Sequence, residues 1–479
     1  MANPKELTVT SPASAAKTDR PELVRELNVW HSISIVAGTI IGTGIFLVPA
    51  EMMQAVGSAK LVYLAWLVGG ALSFFGALTY AELGSVRPYA GGEYVYIRDG
   101  FGPLLGFLYA WTWFLIAKPA SIASVTAGLV RVLGNFQIFS FLPHQLFTIG
   151  SFVVTWGQIV AIGATVLITG VNYVGVRKAG NLQLFLTILK VAMIALIILA
   201  GFSAATGGWG NFGTSFLGAK GGMAGFMAAL VAALWAYDGW NDLNMVSGEI
   251  SNPGRNIPIA LIAGVAIVAV LYIGVNGAVQ YVMPATAVAA APVPASSATQ
   301  IAIGRSGGLL VSAGMALSVL VTLNGTIMSG GRIPFAIARD GYFFKALGEV
   351  HPRFRTPSLA LIVQAILAVI LLLVGGAFKD LFSLAIFAEW LFYMIAAATI
   401  FVFRVKEPNV PRPYRTWGYP VVPALFIVAA AVLLYYTFTD NLRNSFWGSV
   451  VILAGVPVYL YFARKREANQ PQRGTEKPV

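Results

Sequence analysis

Three polar features interrupt stretches of the chain that are otherwise apolar. The first is the segment Gly38–Phe46 (GTIIGTGIF), inside an apolar run over residues 29–53. The second is the segment Trp235–Asn241 (WAYDGWN), inside a run over residues 223–245. The third is Lys190, in the middle of a further run. Because glycine weakens helix and charge is costly inside apolar runs, these features are the candidates for chemistry.

The first segment holds three glycines and two threonines, which favour an unwound turn in the middle of a membrane helix. Unwound backbone is tolerated in lipid only where it faces protein, water or a ligand. A half-helix beginning after Gly44 would direct free N–H groups and the positive end of its dipole at that point, which suits a carboxylate. The alternative is close packing of two helices through small residues.

The second segment places Asp238 inside another apolar run. Its carboxylate could hold a ligand ammonium, a basic side chain or a proton, or it could cap the turn as an Asx residue does. Trp235 and Trp240 could cover a site or simply pack. Two interrupted helices, one in each half of the chain, are typical of secondary transporters built from inverted repeats.

Lys190 must face the protein interior, because a lysine at the bilayer centre costs about 2.5–3.5 kcal/mol on insertion scales. It could act as a fixed cation in place of a bound Na⁺, or as an amine whose pKa is lowered by desolvation. The third possibility is a structural bridge to backbone carbonyls of the first interrupted helix.

Other charged residues invite pairing. Lys118 and Glu389 could form an ion pair within the membrane. Glu82 and Glu249 lie near the ends of apolar runs and are expected to pair with basic loop residues of an inner gate. The candidate partners are Arg87, Arg98 and Arg255.

Composition narrows the class of protein. The chain has 479 residues, of which 57% are hydrophobic and 10% charged, with a mean hydropathy of +0.76. Soluble domains carry roughly 25% charged residues, so this composition indicates a polytopic helical membrane protein. The net charge of +12 reflects loops between hydrophobic spans, so no nucleic-acid partner is expected. There is no cysteine, no phosphate-binding loop and no metal-ligand spacing in the sequence, so no cofactor is expected.

We predict an all-α fold with twelve transmembrane helices and the lipid bilayer as its surroundings. The spans are residues 29–54, 61–84, 101–132, 151–172, 181–202, 223–247, 258–282, 308–336, 358–375, 380–403, 419–438 and 446–463. An even number places both termini on one side. An excess of Lys and Arg in the connections on that side makes it cytoplasmic. No cleaved signal peptide is expected, because the polar first residues are not followed by a cleavage site.

The two interrupted spans suggest that spans 1–5 and 6–10 are inverted copies. The predicted organisation is a tail (1–28), a first repeat (29–202), a second repeat (203–405), two added helices (406–464) and a second tail (465–479).

Several motifs together resemble the L-type amino acid transporters of the amino acid/polyamine/organocation (APC) superfamily, over about residues 28–405. They are GTGIF at 42–46, WAYDGWN at 235–241, Glu249 with Asn252-Pro253, TLNG at 322–325 and GGEY at 91–94. The resemblance implies a LeuT-like 5+5 inverted repeat with two extra C-terminal helices. It also implies exchange of amino acids across a membrane, here expected to be a bacterial inner membrane, typically without Na⁺.

The resemblance further implies roles for individual residues. The substrate carboxylate would be held by Thr39, Thr43 and Gly44. The α-ammonium would be held by the carbonyls of Ile40, Trp235 and Asp238. Trp235 would also be an outer gate, with Asn241 beside the site. Lys190 would substitute for a sodium ion, near Gly42 and Ser318.

Two departures from that family pattern matter. Animal members bind a heavy subunit through a cysteine, and this chain has none, so no disulfide-linked partner is expected. Asp238 stands where many members have a small neutral residue. Its motif resembles exchangers of neutral and dibasic amino acids and also a bacterial serine/threonine exchanger, so the preferred side chain stays open. The alternatives to exchange are a proton-coupled symporter using Lys190 or Asp238 and a non-transporting amino acid sensor. An enzyme is the least supported class.

Overall fold

The computed structural model describes residues 21–149, 152–374, 378–440 and 442–469. Most of this structure is α-helix, because backbone in lipid must satisfy its hydrogen bonds within the segment. The predictions for residues 1–20 and 470–479 of the tails lie outside the described residues. The helices are α1 (Val29–Ile40), α2 (Gly44–Val56), α3 (Ala59–Val86), α4 (Glu93–Phe101), α5 (Pro103–Thr112), α6 (Lys118–Leu133), α7 (Trp156–Val174), α8 (Val176–Phe202), α9 (Gly222–Ala236), α10 (Asp242–Met245), α11 (Pro253–Val282), α12 (Ala285–Ala290), α13 (Pro294–Ile303), α14 (Arg305–Gly330), α15 (Arg332–Arg339), α16 (Ser358–Val374), α17 (Phe378–Lys406), α18 (Val421–Asp440), α19 (Leu442–Leu453) and α20 (Gly455–Asn469).

The helices have the length and composition of membrane spans. Ten continuous or paired helices in the described part of the chain are long and apolar enough to cross a bilayer. Two shorter apolar helices, α9 and most of α16, coincide with the predicted sixth and ninth spans. The protein is therefore a polytopic membrane protein, as predicted, while the count of twelve spans stays a prediction.

A small β-hairpin departs from the all-α prediction. Strand β1 (Gln145–Ile149) pairs antiparallel with strand β2 (Phe152–Thr155) in the connection between α6 and α7. Its aromatic and β-branched side chains favour extended backbone. The fourth span consequently begins at Trp156 rather than near residue 151. Thr155 and Gln158 form a capping box at this helix start.

Both interrupted spans lie at the centre of the helix assembly. The first consists of α1 and α2, which are separated by the unwound residues 41–43. The second consists of α9 and α10, which are separated by residues 237–241. Helix α1 packs against α8, α11 and α14, and α2 packs against α9, so the two interruptions are neighbours.

Several ion pairs lie on one side of the molecule. We call this the tail side, defined as the side at which α1 begins and α3 ends. Arg332 donates to both carboxylate oxygens of Glu249, at 2.7 and 2.9 Å, and neither side chain has any solvent exposure. Glu82 accepts from Arg404 at 2.6 Å and also pairs with Arg412 at 3.3 Å.

The predicted partners of Glu82 and Glu249 were therefore wrong. Arg87 pairs with Asp99 and Glu407 instead, and Arg98 pairs with Asp99 and Asp340. The sequence shows which residues lie near span ends. Which of them face one another depends on how the helices pack, and the spacing of residues along the chain does not contain that information.

Candidate functional site

The first interruption presents a helix N-terminus to the interior. Helix α1 ends at Ile40, and the N–H of Gly42 donates to the Ile40 carbonyl at 2.7 Å in a tight turn. Helix α2 then begins at Gly44 without a side-chain cap. The first N–H groups of a helix, counted from its N-cap residue, have no acceptor within it, so those of Thr43, Gly44 and Ile45 remain available to a ligand at the positive end of the helix dipole.

The second interruption presents a helix C-terminus to the same region. Helix α9 ends at Ala236, and Gly239 has a φ of 106°, which favours glycine. A Cβ on Gly239 would lie only 3.0 Å from the Cγ2 of Thr39, so the two interruptions are in close contact. The Tyr272 hydroxyl on α11 lies 3.1 Å from the carbonyl oxygen of Ile40 and 2.8 Å from that of Ala236, and can donate to either.

A cavity of about 160 Å³ lies where the interruptions meet. This is smaller than the several hundred Å³ of a typical drug-sized pocket, so it suits a ligand of a few heavy atoms. It extends from Asp242 and Thr326 toward Gly128, away from the tail side. Trp235 on its wall is 41% exposed. The residues predicted to bind substrate all line it, namely Thr39, Ile40, Thr43, Gly44, Trp235, Asp238 and Asn241, and Gly42 does so as well.

Two predicted ligand groups already have hydrogen-bond partners. The Thr39 hydroxyl donates to the Ile35 carbonyl at 2.6 Å. A Cβ on Gly325 of α14 would lie only 2.4 Å from this hydroxyl oxygen, so α14 packs directly against Thr39. The Ile40 carbonyl accepts from Gly42 and lies within reach of Tyr272. The Thr39 hydroxyl has a single proton, so it cannot donate to Ile35 and to a substrate carboxylate at the same time. The binding roles of Thr39 and Ile40 therefore stay predictions.

Lys190 lies beside the first interruption rather than on the cavity wall. Its ammonium donates to the carbonyls of Gly38 at 2.9 Å and Ile41 at 2.5 Å, and the residue is 1% exposed. These are the backbone groups that unwinding leaves without helical donors. The Ser318 hydroxyl is buried, and among the described residues it has no hydrogen-bond partner, Lys190 included. The structure thus gives Lys190 the backbone-carbonyl contacts of a structural bridge, and its role as a substitute for a sodium ion stays a prediction.

The charged groups of the cavity pair differently from the prediction. Lys118, at the start of α6, forms an ion pair with Asp242 in α10 rather than with Glu389. Glu389 lies on the cavity wall and forms no ion pair with a cation among the residues the structure describes. Asp242 was missed because, four residues after Asp238, it reads as the first turn of a continuing helix.

A chain of hydrogen bonds leads from the cavity toward α4, and sequence reasoning missed most of it. The Tyr393 hydroxyl lies 3.1 Å from the Asp238 carboxylate and 3.2 Å from the Asn241 amide oxygen. The Asn241 amide nitrogen donates to Glu93 at 2.6 Å. Tyr109 donates to the other oxygen of Glu93 at 3.2 Å. The available signal was the acidic residue of the GGEY motif, which the sequence analysis used only as a family marker.

Comparison with known proteins identifies the family. The amino acid permease family matches residues 27–461. The serine/threonine exchanger SteT of Bacillus subtilis (strain 168) is 33% identical over 457 residues, covering 94% of this chain and 100% of the relative. The human cystine/glutamate transporter is 32% identical over 446 residues, covering 93% and 86%. The b(0,+)-type amino acid transporter 1 of Oryctolagus cuniculus is 33% identical over 410 residues, covering 83% and 80%.

These similarities confirm the resemblance to the L-type transporters, and they confirm amino acid transport rather than an enzyme reaction as the activity. The apolar helices agree with an integral membrane location. On the match over residues 27–461 and on relatives that span nearly the whole chain, this protein belongs to the amino acid permease family.

Proposed function

We propose that the protein exchanges L-amino acids across the membrane by alternating access, and that it does so without Na⁺. The observation that carries the proposal is the cavity between the start of α2 and the end of α9. The positive end of one helix dipole and the negative end of another face it, which matches the carboxylate and ammonium of a free amino acid.

In this proposal the N–H groups at Thr43 and Gly44 hold the carboxylate, together with the Thr43 hydroxyl. The carbonyls at Trp235 and Asp238 hold the ammonium. The partly exposed Trp235 ring on the cavity wall is the gate over the bound substrate. Asn241 acts from the far wall, where its amide is held by Glu93.

Na⁺ independence rests on Lys190. Its ammonium takes the two carbonyl contacts that a bound metal cation would otherwise make at the first interruption. A fixed charge there does not leave with the substrate, so the charge at the interruption is kept throughout the cycle. Gly42 and Ser318 are the neighbouring positions that we assign to the same cation site.

Alternating access requires a closed side and an open side. The cavity runs away from the tail side, where the Glu249–Arg332 pair is fully buried. We propose that this pair and its neighbours form the inner gate, and that they separate when the substrate is released on the tail side. The tail side is then cytoplasmic, with both termini in the cytoplasm of a bacterial cell.

The two interrupted spans, one in each half of the chain, also support a more detailed proposal for the architecture. We infer twelve spans, of which the first ten form a LeuT-like 5+5 inverted repeat over residues 29–202 and 203–405, followed by two added helices. The sequence has no cysteine, so a heavy subunit could not be attached through a disulfide. We prefer exchange over proton symport or sensing because one relative is described as a serine/threonine exchanger and another as a cystine/glutamate transporter.

Counterflow into liposomes containing the purified full chain tests the proposal. Labelled L-amino acids with neutral, basic and acidic side chains are offered to vesicles that are empty or loaded with unlabelled amino acid. We expect entry only into loaded vesicles, equally well with choline in place of Na⁺, and chiefly of neutral amino acids. Accumulation in empty vesicles driven by a pH gradient would indicate symport, and binding without flux would indicate a sensor.

A further inference from the structure

Glu93 is a buried carboxyl group that holds the Asn241 amide, and the exchange mechanism assigns no change of protonation to it. It begins α4, which lies outside the membrane-spanning segments on the tail side, and it has no solvent exposure. Among the described residues no Lys or Arg forms an ion pair with it, and its hydrogen-bond partners are the neutral groups of Asn241 and Tyr109. Burying a carboxylate without a cation is costly, so a proton would relieve that cost.

The surroundings of Glu93 contain more acids than bases. Lys118 is the nearby cation, and Asp242 already neutralises it. Burial raises the pKa of Glu93 to about 7, against the lowering effect of the Asn241 hydrogen bond. The other titratable groups that interact with Glu93 lie on α3, α4, α5 and α17, and they are Tyr80, Tyr96, Tyr109, Tyr393 and Glu389.

Both protonation states of Glu93 can be satisfied by one rearrangement of hydrogen bonds. When Glu93 is ionised, the Asn241 NH₂ donates to it, and Tyr393 can donate to the Asn241 oxygen or to Asp238. When Glu93 is protonated, it needs an acceptor, which an amide flip of Asn241 supplies. The Asn241 NH₂ then faces the Tyr393 oxygen, whose hydroxyl hydrogen is left for Asp238 alone.

We propose that Glu93 is a proton-binding site and that the path Glu93–Asn241–Tyr393–Asp238 transmits its protonation state to the substrate cavity. Protonating Glu93 fixes a donor on the Asp238 carboxylate. Ionising Glu93 allows that donor to turn away. Because Asp238 lies at the second interruption, the proton on Glu93 controls how strongly Asp238 interacts with a bound amino acid.

Infrared titration of the purified full chain in lipid tests the first half of the proposal without any substrate. Between about pH 5 and pH 9, the parent should lose the carbonyl stretch of a protonated carboxylic acid, and Glu93→Gln should lack that component, because glutamine does not titrate. Identical titrations of parent and Glu93→Gln would overturn the proposal. This outcome would leave amino acid exchange itself untouched.

Counterflow of labelled L-serine against internal L-serine tests the second half. The parent rate should change with pH around neutrality, and Glu93→Gln should flatten that profile. Tyr393→Phe should keep the infrared signal of Glu93 but lose the pH dependence of the rate, since it breaks the path. Tyr109→Phe is the matched control, because it removes the other hydrogen-bond donor to Glu93 and leaves the path intact. The exchange rate of this variant should therefore still change with pH around neutrality. A pH profile in Tyr393→Phe like that of the parent would refute the path.

Discussion

Adding one methyl group at Gly42 should weaken substrate binding while leaving the fold unchanged. A Cβ at this position would have a single neighbour within 4 Å, the Ile40 carbonyl oxygen at 3.9 Å, and Gly42 lines the cavity. The methyl of Gly42→Ala would therefore occupy ligand space rather than protein space. Crowding of a well-packed site costs roughly 1–3 kcal/mol. That corresponds to an affinity loss of about 5- to 160-fold.

Calorimetric titration with the best counterflow substrate measures this loss, with thermal unfolding of the same sample as the check on folding. Gly163→Ala is the matched control, since Gly163 lies in α7 and a Cβ there meets nothing within 4 Å. We expect parental affinity in Gly163→Ala and parental thermal stability in both variants. Parental affinity in Gly42→Ala would show that the ligand does not occupy the space beside the first interruption, and would refute the proposed binding geometry.

Three further substitutions test the cation site, the inner gate and the selectivity of the cavity separately. Lys190→Ala should reduce counterflow more than it reduces the amount of folded protein, because it removes two charge-assisted hydrogen bonds of about 1.5–3 kcal/mol each; a strict Na⁺ requirement in the parent would contradict the role of Lys190. Glu249→Gln should leave the buried Arg332 guanidinium uncompensated, at a cost of about 3–5 kcal/mol, and favour an open tail side. A single cysteine introduced at Ser247 should then react faster with a maleimide, and an unchanged labelling rate would argue against a gate there. Asp238→Asn should weaken lysine or arginine exchange more than alanine or leucine exchange if the parent carries both classes, as competition assays would measure; a parent that ignores dibasic amino acids would exclude charge reading by Asp238.

Sequence reasoning located the two interruptions closely, because their signal is local. Glycines and polar groups inside an apolar run conflict with the helix that the run otherwise favours, and such conflicts occur at functional positions. The structure accordingly begins α2 at Gly44 and ends α9 at Ala236. Lys190 makes the carbonyl contacts at the first interruption that the sequence left open as a structural bridge, since a buried ammonium near unwound backbone has few other partners. Its role as a substitute for a sodium ion stays a prediction.

Pairings between distant helices were not predictable in the same way. Lys118 pairs with Asp242 and Glu249 with Arg332, although the sequence offered other charges of the right sign at similar depths. A difference of one helix turn decides which side chains meet, and span boundaries read from hydropathy are uncertain by about that amount. Glu93 was overlooked for the same reason, because its burial depends on how α4 packs against α5 and α17.

A structure of the full chain in lipid nanodiscs with a bound amino acid, determined by cryo-electron microscopy, would show directly how the substrate lies between the two interruptions. We expect the carboxylate of the amino acid within hydrogen-bond distance of the N–H groups of Thr43 and Gly44. We expect the ammonium at the carbonyls of Trp235 and Asp238, with the side chain in the cavity between the interruptions. Density for the amino acid elsewhere, or in the reverse orientation with its ammonium at the start of α2, would contradict this arrangement.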